Sequence, residues 1–358
     1  MDRLSITSWF VATCFSFLVL ATWGCSGRNP ADTGVVWRQA LADKRSAPYS
    51  RLLERDNYSL VVYNPATGSS RDGALWVIGG KGDYGLLNDV WKSTDGVKWT
   101  QVLPRGSIYT SIPTQFSPRM NHATVVYNGA MWVIGGYDGS ARNDVWKSTD
   151  GVTWTKVLED SYNAGQFSHR GGHSLVVYDG AMWVIAGQGI GYRDMNDVWK
   201  STDGANWTYI NKDSAPSARF SPRRFFATVA FNGAMWVIGG VDGNYHNDVW
   251  KSTDGAVWTQ VLPSTATPPA DQFSIRSNPA TVVYNPSTGS GQDGAIWLIG
   301  GIGGGGLRDV WTSTDGAHWV RVQARIPFLV PAATVYKKEI WAMGENNIDR
   351  SKGVWYSP

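Results

Sequence analysis

NDVWKSTDGVKWT, from Asn88 to Thr100, decides the fold because it is written again and again. It returns as NDVWKSTDGVTWT from Asn143, NDVWKSTDGANWT from Asn196 and NDVWKSTDGAVWT from Asn247. RDVWTSTDGAHWV follows from Arg308, and KGVWYSP from Lys352 stops at the end of the chain. The piece missing from that last copy stands near the other terminus, as DTGVVWRQ from Asp32 to Gln39. A repeat split between the termini is the mark of a ring closed by pairing its first strand with its last.

Outward from this stretch each repeat reads as four strands. Ala123 to Tyr127 is a short apolar strand, and Asn128-Gly129 follows as a tight turn. Asp179-Gly180 and Asn232-Gly233 stand at the same place in other copies. Asn-Gly and Asp-Gly suit type I′ hairpins, in which both central residues take positive φ. The second strand is AMWVIGG at Ala130 to Gly136, matched from Ala74, Ala181, Ala234 and Ala295. NDVWKS is the third strand, TDG turns the chain, and the fourth is typified by Trp154 to Leu158. Four strands repeated at this spacing predict an all-β, six-bladed β-propeller. The blades fall at about 56–103, 120–159, 171–211, 224–263, 277–323 and 329–358, with 33–40 completing the last.

The tryptophans fix the register. The second-strand column is Trp76, Trp132, Trp183, Trp236, Trp297 and Trp341. The third-strand column is Trp91, Trp146, Trp199, Trp250, Trp311 and Trp355. The fourth is Trp99, Trp154, Trp207, Trp258, Trp319 and, from the N-terminus, Trp37. With Trp9 and Trp23 these are all 20 tryptophans of the chain. A residue present in every blade fills the space between twisted sheets, a task large aromatics perform well. Function is therefore sought where the repeats differ.

This pattern resembles the kelch repeat. The glycine pairs Gly79-Gly80, Gly135-Gly136, Gly239-Gly240 and Gly300-Gly301 match it, as do the aromatic columns. Ala186 and Glu345 depart from it, in the first and second glycine columns respectively. The turn STDGxxW is also similar to the Asp-box of sialidases, one residue shorter between Asp and Trp. In that family the box is a structural turn remote from catalysis.

One propeller absorbs residues 33–358 as a single domain, since a ring grows by blades rather than by new cores. A net charge of +3, with both signs scattered and no basic run, argues against a nucleic-acid partner. Arg3 followed by the apolar stretch Ile6 to Leu20 reads as an export signal over residues 1–24. Of the two cysteines, Cys14 lies in that stretch and Cys25 just after it. The N-terminus thus resembles that of a bacterial lipoprotein, with lipidation at Cys25, residues 25–32 as tether and the propeller at the outer membrane or cell surface. A plain secretory signal, giving a periplasmic or secreted protein, and an uncleaved anchor are the alternatives. A weak helical periodicity at Ala42 to Arg55 reads as a loop or short helix before the first blade.

Candidate binding residues fall in two groups on one face, where the second-to-third-strand and blade-to-blade loops gather. Both sets of loops read as long and variable, and rigid scaffolds carry function on such loops. The first group is a column of arginines ending the motif Phe-Ser-x-Arg: Arg119, Arg170, Arg223 and Arg276, with Arg55 in the same column by count and Phe328 in its place in the last blade. Guanidinium groups at the channel mouth would bind carboxylate or phosphate in bidentate fashion. The kelch resemblance instead implies that this arginine is locked to a neighbouring blade. His122 and His173 stand three residues on, as packing residues or as acid–base groups. The second group does not repeat: Tyr137, Tyr192, Tyr245 and His246, beside Tyr84, Arg142, Arg193 and Asp242. Tyrosine and arginine anchor protein interfaces, and the same mix suits a sugar.

Galactose-oxidase chemistry, implied by one branch of the kelch resemblance, needs copper and a Tyr–Cys cross-link, for which residues 33–358 supply no cysteine. No metal and no cofactor are expected. Two readings remain. One is a non-catalytic module binding a protein or carbohydrate on the loop face. The other is an enzyme on an acidic sugar, similar to kelch-type mutarotases or sialidases, using the channel arginines with Glu54 or Glu345.

Overall fold

The computed structural model describes residues 36–42, 50–106, 114–163, 165–211, 218–346 and 352–357. The signal, the tether and Cys25 lie outside the described residues, as do residues 33–35 of the closing strand and Asn347, Asp349 and Arg350. The described chain is an all-β propeller of antiparallel strands. Among the described residues of the stretch with helical periodicity, Ser50–Leu53 is helical and buries Leu52 and Leu53.

Each set of four strands is named here by its second-strand tryptophan. The Trp76 set runs Ser59–Asn64, Ser69–Gly82, Gly85–Ser93 and Thr100–Leu103. The Trp236 set runs Ala227–Phe231 to Thr259–Leu262, and the Trp297 set Ala280–Asn285 to Val320–Gln323. The Trp132 and Trp183 sets are fused into a nine-stranded sheet by the two-residue strand Arg170–Gly171. Arg170 pairs there with both Gly189 and Arg142. The strands of the described residues thus lie in five sheets, because one blade-to-blade segment is itself a ladder rung.

The Trp341 set is the one built from both chain ends. Phe328–Tyr336, Glu339–Asn346 and Lys352–Ser357 are completed by Arg38–Ala42, with Arg38 opposite Tyr356 and Ala42 opposite Gly353. Among the described residues the closing strand is Arg38–Ala42. Trp37 precedes it as Trp99 precedes Thr100, and its Nε1 donates to Gln323 Oε1 at 3.0 Å.

The local chemistry follows the sequence closely. The Asn128-Gly129 turn has φ of 44° and 72°. Lys337 and Lys338 take the same conformation at 50° and 66° without any glycine. The paired glycines mark a bulge: register shifts between Ile134 and Gly136, and Gly135 and Gly136 have φ of 56° and 103°. A Cβ on Gly136 would meet His122 Cβ at 2.8 Å. Where Glu345 replaces the second glycine, the ladder runs without a shift, Gly344 opposite Gly353 and Glu345 opposite Lys352. The AMWVIGG stretch of the second strand is buried throughout at Ala130–Gly136 and Ala234–Gly240, which explains its unbroken apolar run.

The core is distributed between neighbouring sets rather than gathered at one centre. One apolar cluster joins the Trp76 and Trp132 sets, another the Trp132 and Trp183 sets, and so on around to one that joins the Trp341 and Trp76 sets. Each STDG glycine lies against a second-strand tryptophan of the preceding set. A Cβ on Gly151 would stand 2.3 Å from Trp76 Cζ3, and one on Gly204 2.3 Å from Trp132 Cζ3. Gly96 repeats this contact against Trp341, across the closure. Only glycine fits there, both for space and because φ is +72° to +78° in Gly96, Gly151 and Gly204.

Candidate functional site

The Phe-Ser-x-Arg segments deliver their arginines into the interior. Arg119 Nη1 and Nη2 bind the two oxygens of Asp144 at 2.6 and 2.8 Å, Nη1 also binds the Gly135 carbonyl, and Nε donates to the Ser117 carbonyl. Asp144 accepts in addition from Trp146 Nε1 at 2.8 Å. The same triad is Arg170–Asp197–Trp199, Arg223–Asp248–Trp250, Arg276–Asp309–Trp311 and Arg55–Asp89–Trp91. All five guanidinium side chains are at most 1% exposed. The arginine backbones face the other way. Arg119 N donates to Leu87 O, and Gly80 N to Arg119 O, both in the preceding set. Each arginine therefore clamps two sets, and Arg119, Arg170, Arg223 and Arg276 have no valence left for a ligand. Of the two sequence readings of this column, these contacts match the brace and not the anion-binding ring.

Burial alone would raise the carboxyls of Asp144 and Asp197, but the adjacent Arg119 and Arg170 charges and hydrogen bonds outweigh it and hold both below the usual range. In the Trp341 set both partners change together, to Phe328 and Gly353. Phe328 stacks on Trp355 with centroids 4.5 Å apart, and Trp37 meets its edge at 4.9 Å.

His122 and His173 line the channel and are buried. Neither ring nitrogen of either has a hydrogen-bond partner in normal geometry. Burial, then the Arg119 charge, lowers His122 from 6.5 to about 3 against a small opposing pull from the Ile78 backbone. Burial, Arg170 and His122 lower His173 to about 3, with Asp197 and the Ile134 backbone opposing. Both imidazoles are neutral packing groups that shuttle no proton near neutral pH. Tyr58, in the same column, donates to the Met343 carbonyl at 3.0 Å, and burial pushes its phenol up.

Two residues after each arginine the backbone turns left-handed: Asn57, Asn121, Gly172, Phe225 and Asn278 have φ between 48° and 62°. Their peptides form a belt. Asn121 N donates to Asn57 O, Gly172 N to Asn121 O, Phe225 N to Gly172 O and Asn278 N to Phe225 O, at 2.7 to 3.1 Å. The belt rims a cavity of about 650 Å³ whose walls include Glu345 and Lys352. Glu54 is not in it, but lines a separate cavity of about 360 Å³ with Asp83 and Tyr84. Of the two candidate acids, Glu345 lines the channel cavity and Glu54 does not. Among the described residues no group of three or more His, Cys, Asp or Glu is placed to hold a metal ion.

The second-to-third-strand connections are shorter than expected, because the strands run on to Gly82, Tyr137 and Val241 and resume at Gly85, Ala141 and Tyr245. Their charged residues largely satisfy one another. Arg142 binds Asp138 and Asp160, Arg224 binds Asp194, and His246 Nε2 lies 2.9 Å from Asp242 Oδ1. The aromatic groups are left outward: Tyr84 and Tyr192 are 90% and 85% exposed, while Tyr137 is partly covered and Tyr245 half-buried. Tyr162, from a blade-to-blade segment, is 84% exposed.

Comparison with known proteins bears on this architecture. The family profile described as the KLHDC2/KLHL20/DRC7 Kelch-repeats domain matches residues 66–286. The leucine-zipper-like transcriptional regulator 1 homolog of Drosophila melanogaster is 27% identical over 53% of this chain and 18% of its own length. Alpha-scruin of Limulus polyphemus is 26% identical over 76% of this chain and 27% of its own. Beta-scruin of the same animal is 30% identical over 35% of this chain and 13% of its own. The chain spans less than a third of the length of each.

Two measurements test the interior. The folded pKa of His122 and His173 lies below the ordinary 6.5, so the unfolded chain takes up these protons first. Stability is full above about pH 6.5 and falls as pH drops toward the folded values, by about 1.4 kcal/mol per pH unit for each histidine. A His122→Phe/His173→Phe variant, which copies Phe226 of the Trp236 set, is expected to flatten the melting profile between about pH 6.5 and 4. A variant profile that tracks wild type across that window would refute the buried neutral pair.

Second, Arg223→Phe alone leaves Asp248 buried without its counter-charge and is expected to cost about 3–5 kcal/mol. Adding Asp248→Gly, as in the Trp341 set, should recover part of that loss, with a coupling of about 1–3 kcal/mol in urea denaturation. Strictly additive single effects would show that the two residues do not act as a unit.

Proposed function

Because this chain belongs to the kelch-repeat family, we propose that it is a non-catalytic propeller that docks another protein on the face carrying its second-to-third-strand connections. The observation that carries this reading is the distribution of exposed aromatic and aliphatic side chains. Tyr84, Tyr137, Ile190, Tyr192 and Ile302 stand on or beside the second-to-third-strand connections of the Trp76, Trp132, Trp183 and Trp297 sets, and Tyr162 on a blade-to-blade segment. Exposed large apolar groups gathered on one side of a rigid scaffold are the usual anchors of a protein interface. The opposite face exposes Val97, Val152 and Val257 at equivalent points of a repeated turn, which marks them as part of the scaffold. The kelch relatives support the scaffold; the partner is a proposal for this chain.

We further infer a ring of six blades. Support comes from the strand sets described above and from the apolar clusters that link each to the next, the last linking back to the first. The acidic-sugar reading draws no support from the interior, since its arginines are engaged with Asp89, Asp144, Asp197, Asp248 and Asp309. Export and attachment of the ring to a membrane through lipid at Cys25 is the proposal for its location, motivated by the apolar stretch Ile6 to Leu20 and the cysteine that follows it.

Partners captured by cross-linking the full chain should be lost, or bound at least about tenfold more weakly, in a Tyr84→Ser/Tyr192→Ser variant of unchanged melting temperature. A Val152→Ser/Val257→Ser variant should retain them. The reverse pattern, or no difference, places docking elsewhere. In cell fractionation Cys25→Ser is expected to move the protein out of the membrane fraction; unchanged retention would rule out lipid at that residue as the anchor.

A further inference from the structure

We propose that the channel mouth binds a neutral sugar residue, seated against the Phe225 ring and hydrogen-bonded by the amides of Asn57, Asn121 and Asn278. The site does not depend on the protein-docking reading and uses none of its tyrosines. Its cavity of about 650 Å³ falls within the range of small-molecule sites.

The first observation is Phe225 itself. Every other belt position with left-handed backbone holds Asn or Gly, the residue types that accept it. A bulky aromatic at φ 55° is strained, and strain retained at a cavity wall points to a use for the side chain. The neighbour is cut back to accommodate it: a Cβ on Gly172 would stand 2.7 Å from Phe225 Cε1. The ring is half-buried and lines the cavity, with Arg224 5.9 Å from its centroid.

The second observation is independent. The belt fixes the peptides of Asn57, Asn121 and Asn278, and with them the points from which three side-chain amides start. Asn121 and Asn278 are half-buried and Asn57 exposed, and all three line the cavity. Each amide offers two donors and one acceptor oxygen. Amides carried on a backbone that the belt fixes suit a molecule that both donates and accepts.

Charge narrows the class. Lys352 binds Asp56 at 2.6 Å and lies opposite Glu345 in the ladder, Arg55 binds Asp89, and Arg224 binds Asp194. An anionic ligand would surrender its hydration without finding an uncommitted counter-charge on these residues. A pyranose supplies what the walls lack. Its axial C–H face covers an aromatic ring, and its adjacent hydroxyls each donate and accept.

Saturation-transfer NMR on the full chain with galactose, glucose, mannose and N-acetylglucosamine, each set against galacturonate, tests the assignment. Phe225→Asn and Asn121→Gly introduce residue types the belt already holds, so both variants should melt like wild type. At least one neutral sugar is expected to bind, about tenfold more weakly to each variant, and galacturonate more weakly than galactose. No binding by any of the four neutral sugars, undiminished binding by Phe225→Asn, or a preference for galacturonate overturns the proposal.

Discussion

The arginine–aspartate–tryptophan triad is the interaction on which the ring depends. Its guanidinium is saturated within its own set, while the same residue's peptide is bonded into the set before it. Arg223 shows the geometry again: its side chain binds Asp248, and its backbone binds Gly187 and Met195 of the Trp183 set. A buried ion pair adds little net stability over a well-packed apolar equivalent, but loss of one partner is severe. Its contribution here is registration. It fixes the angle at which each sheet meets the next, and the STDG glycine and tryptophan then close the outer half of the interface.

The Trp341 set shows that the apolar equivalent exists. Phe328 and Gly353 remove both charges at once, and Phe328 is packed between Trp355 and Trp37. This is the set assembled from both chain termini. Tyr58 and Tyr336 reinforce it, each hydrogen-bonded across the seam, to Met343 O and to the Gly73 and Thr94 carbonyls. Closure is thus made by packing and backbone acceptors, neither of which requires a charge to be desolvated before its partner arrives.

Strands, turns and seam were legible because each rests on local chemistry: Asn128-Gly129 for a turn, Gly135-Gly136 for a bulge, Trp37 for the fourth strand of a split repeat. The partner of the arginine was not, because Arg119 and Asp144 are distant in sequence and no local pattern ties them. One signal was present in the sequence: the only repeat without the arginine, at Phe328, is also the one with Gly353 in place of the aspartate. The belt was equally hidden. Asn57, Asn121, Gly172, Phe225 and Asn278 share a conformation rather than a residue type, and it is the residues flanking them that pack against the bulge glycines.

That contrast separates scaffold from function in a repeat protein. A side chain that recurs with its partners, such as Arg223 with Asp248 and Trp250, is consumed by the fold however chemically attractive it is in isolation. A side chain that breaks the pattern while the backbone keeps it is free to serve another purpose. Phe225 occupies a place whose φ of 55° favours Asn or Gly, and the belt holds it there through the peptide, so the ring is not needed for the architecture. Tyr84 and Tyr192 are free in a different sense, since no repeated contact fixes them and each is almost wholly exposed. The rigid interior is what permits both: a scaffold braced by buried ion pairs in five sets and by aromatic packing in the Trp341 set can carry a strained residue at its mouth and apolar groups at its rim without losing its shape.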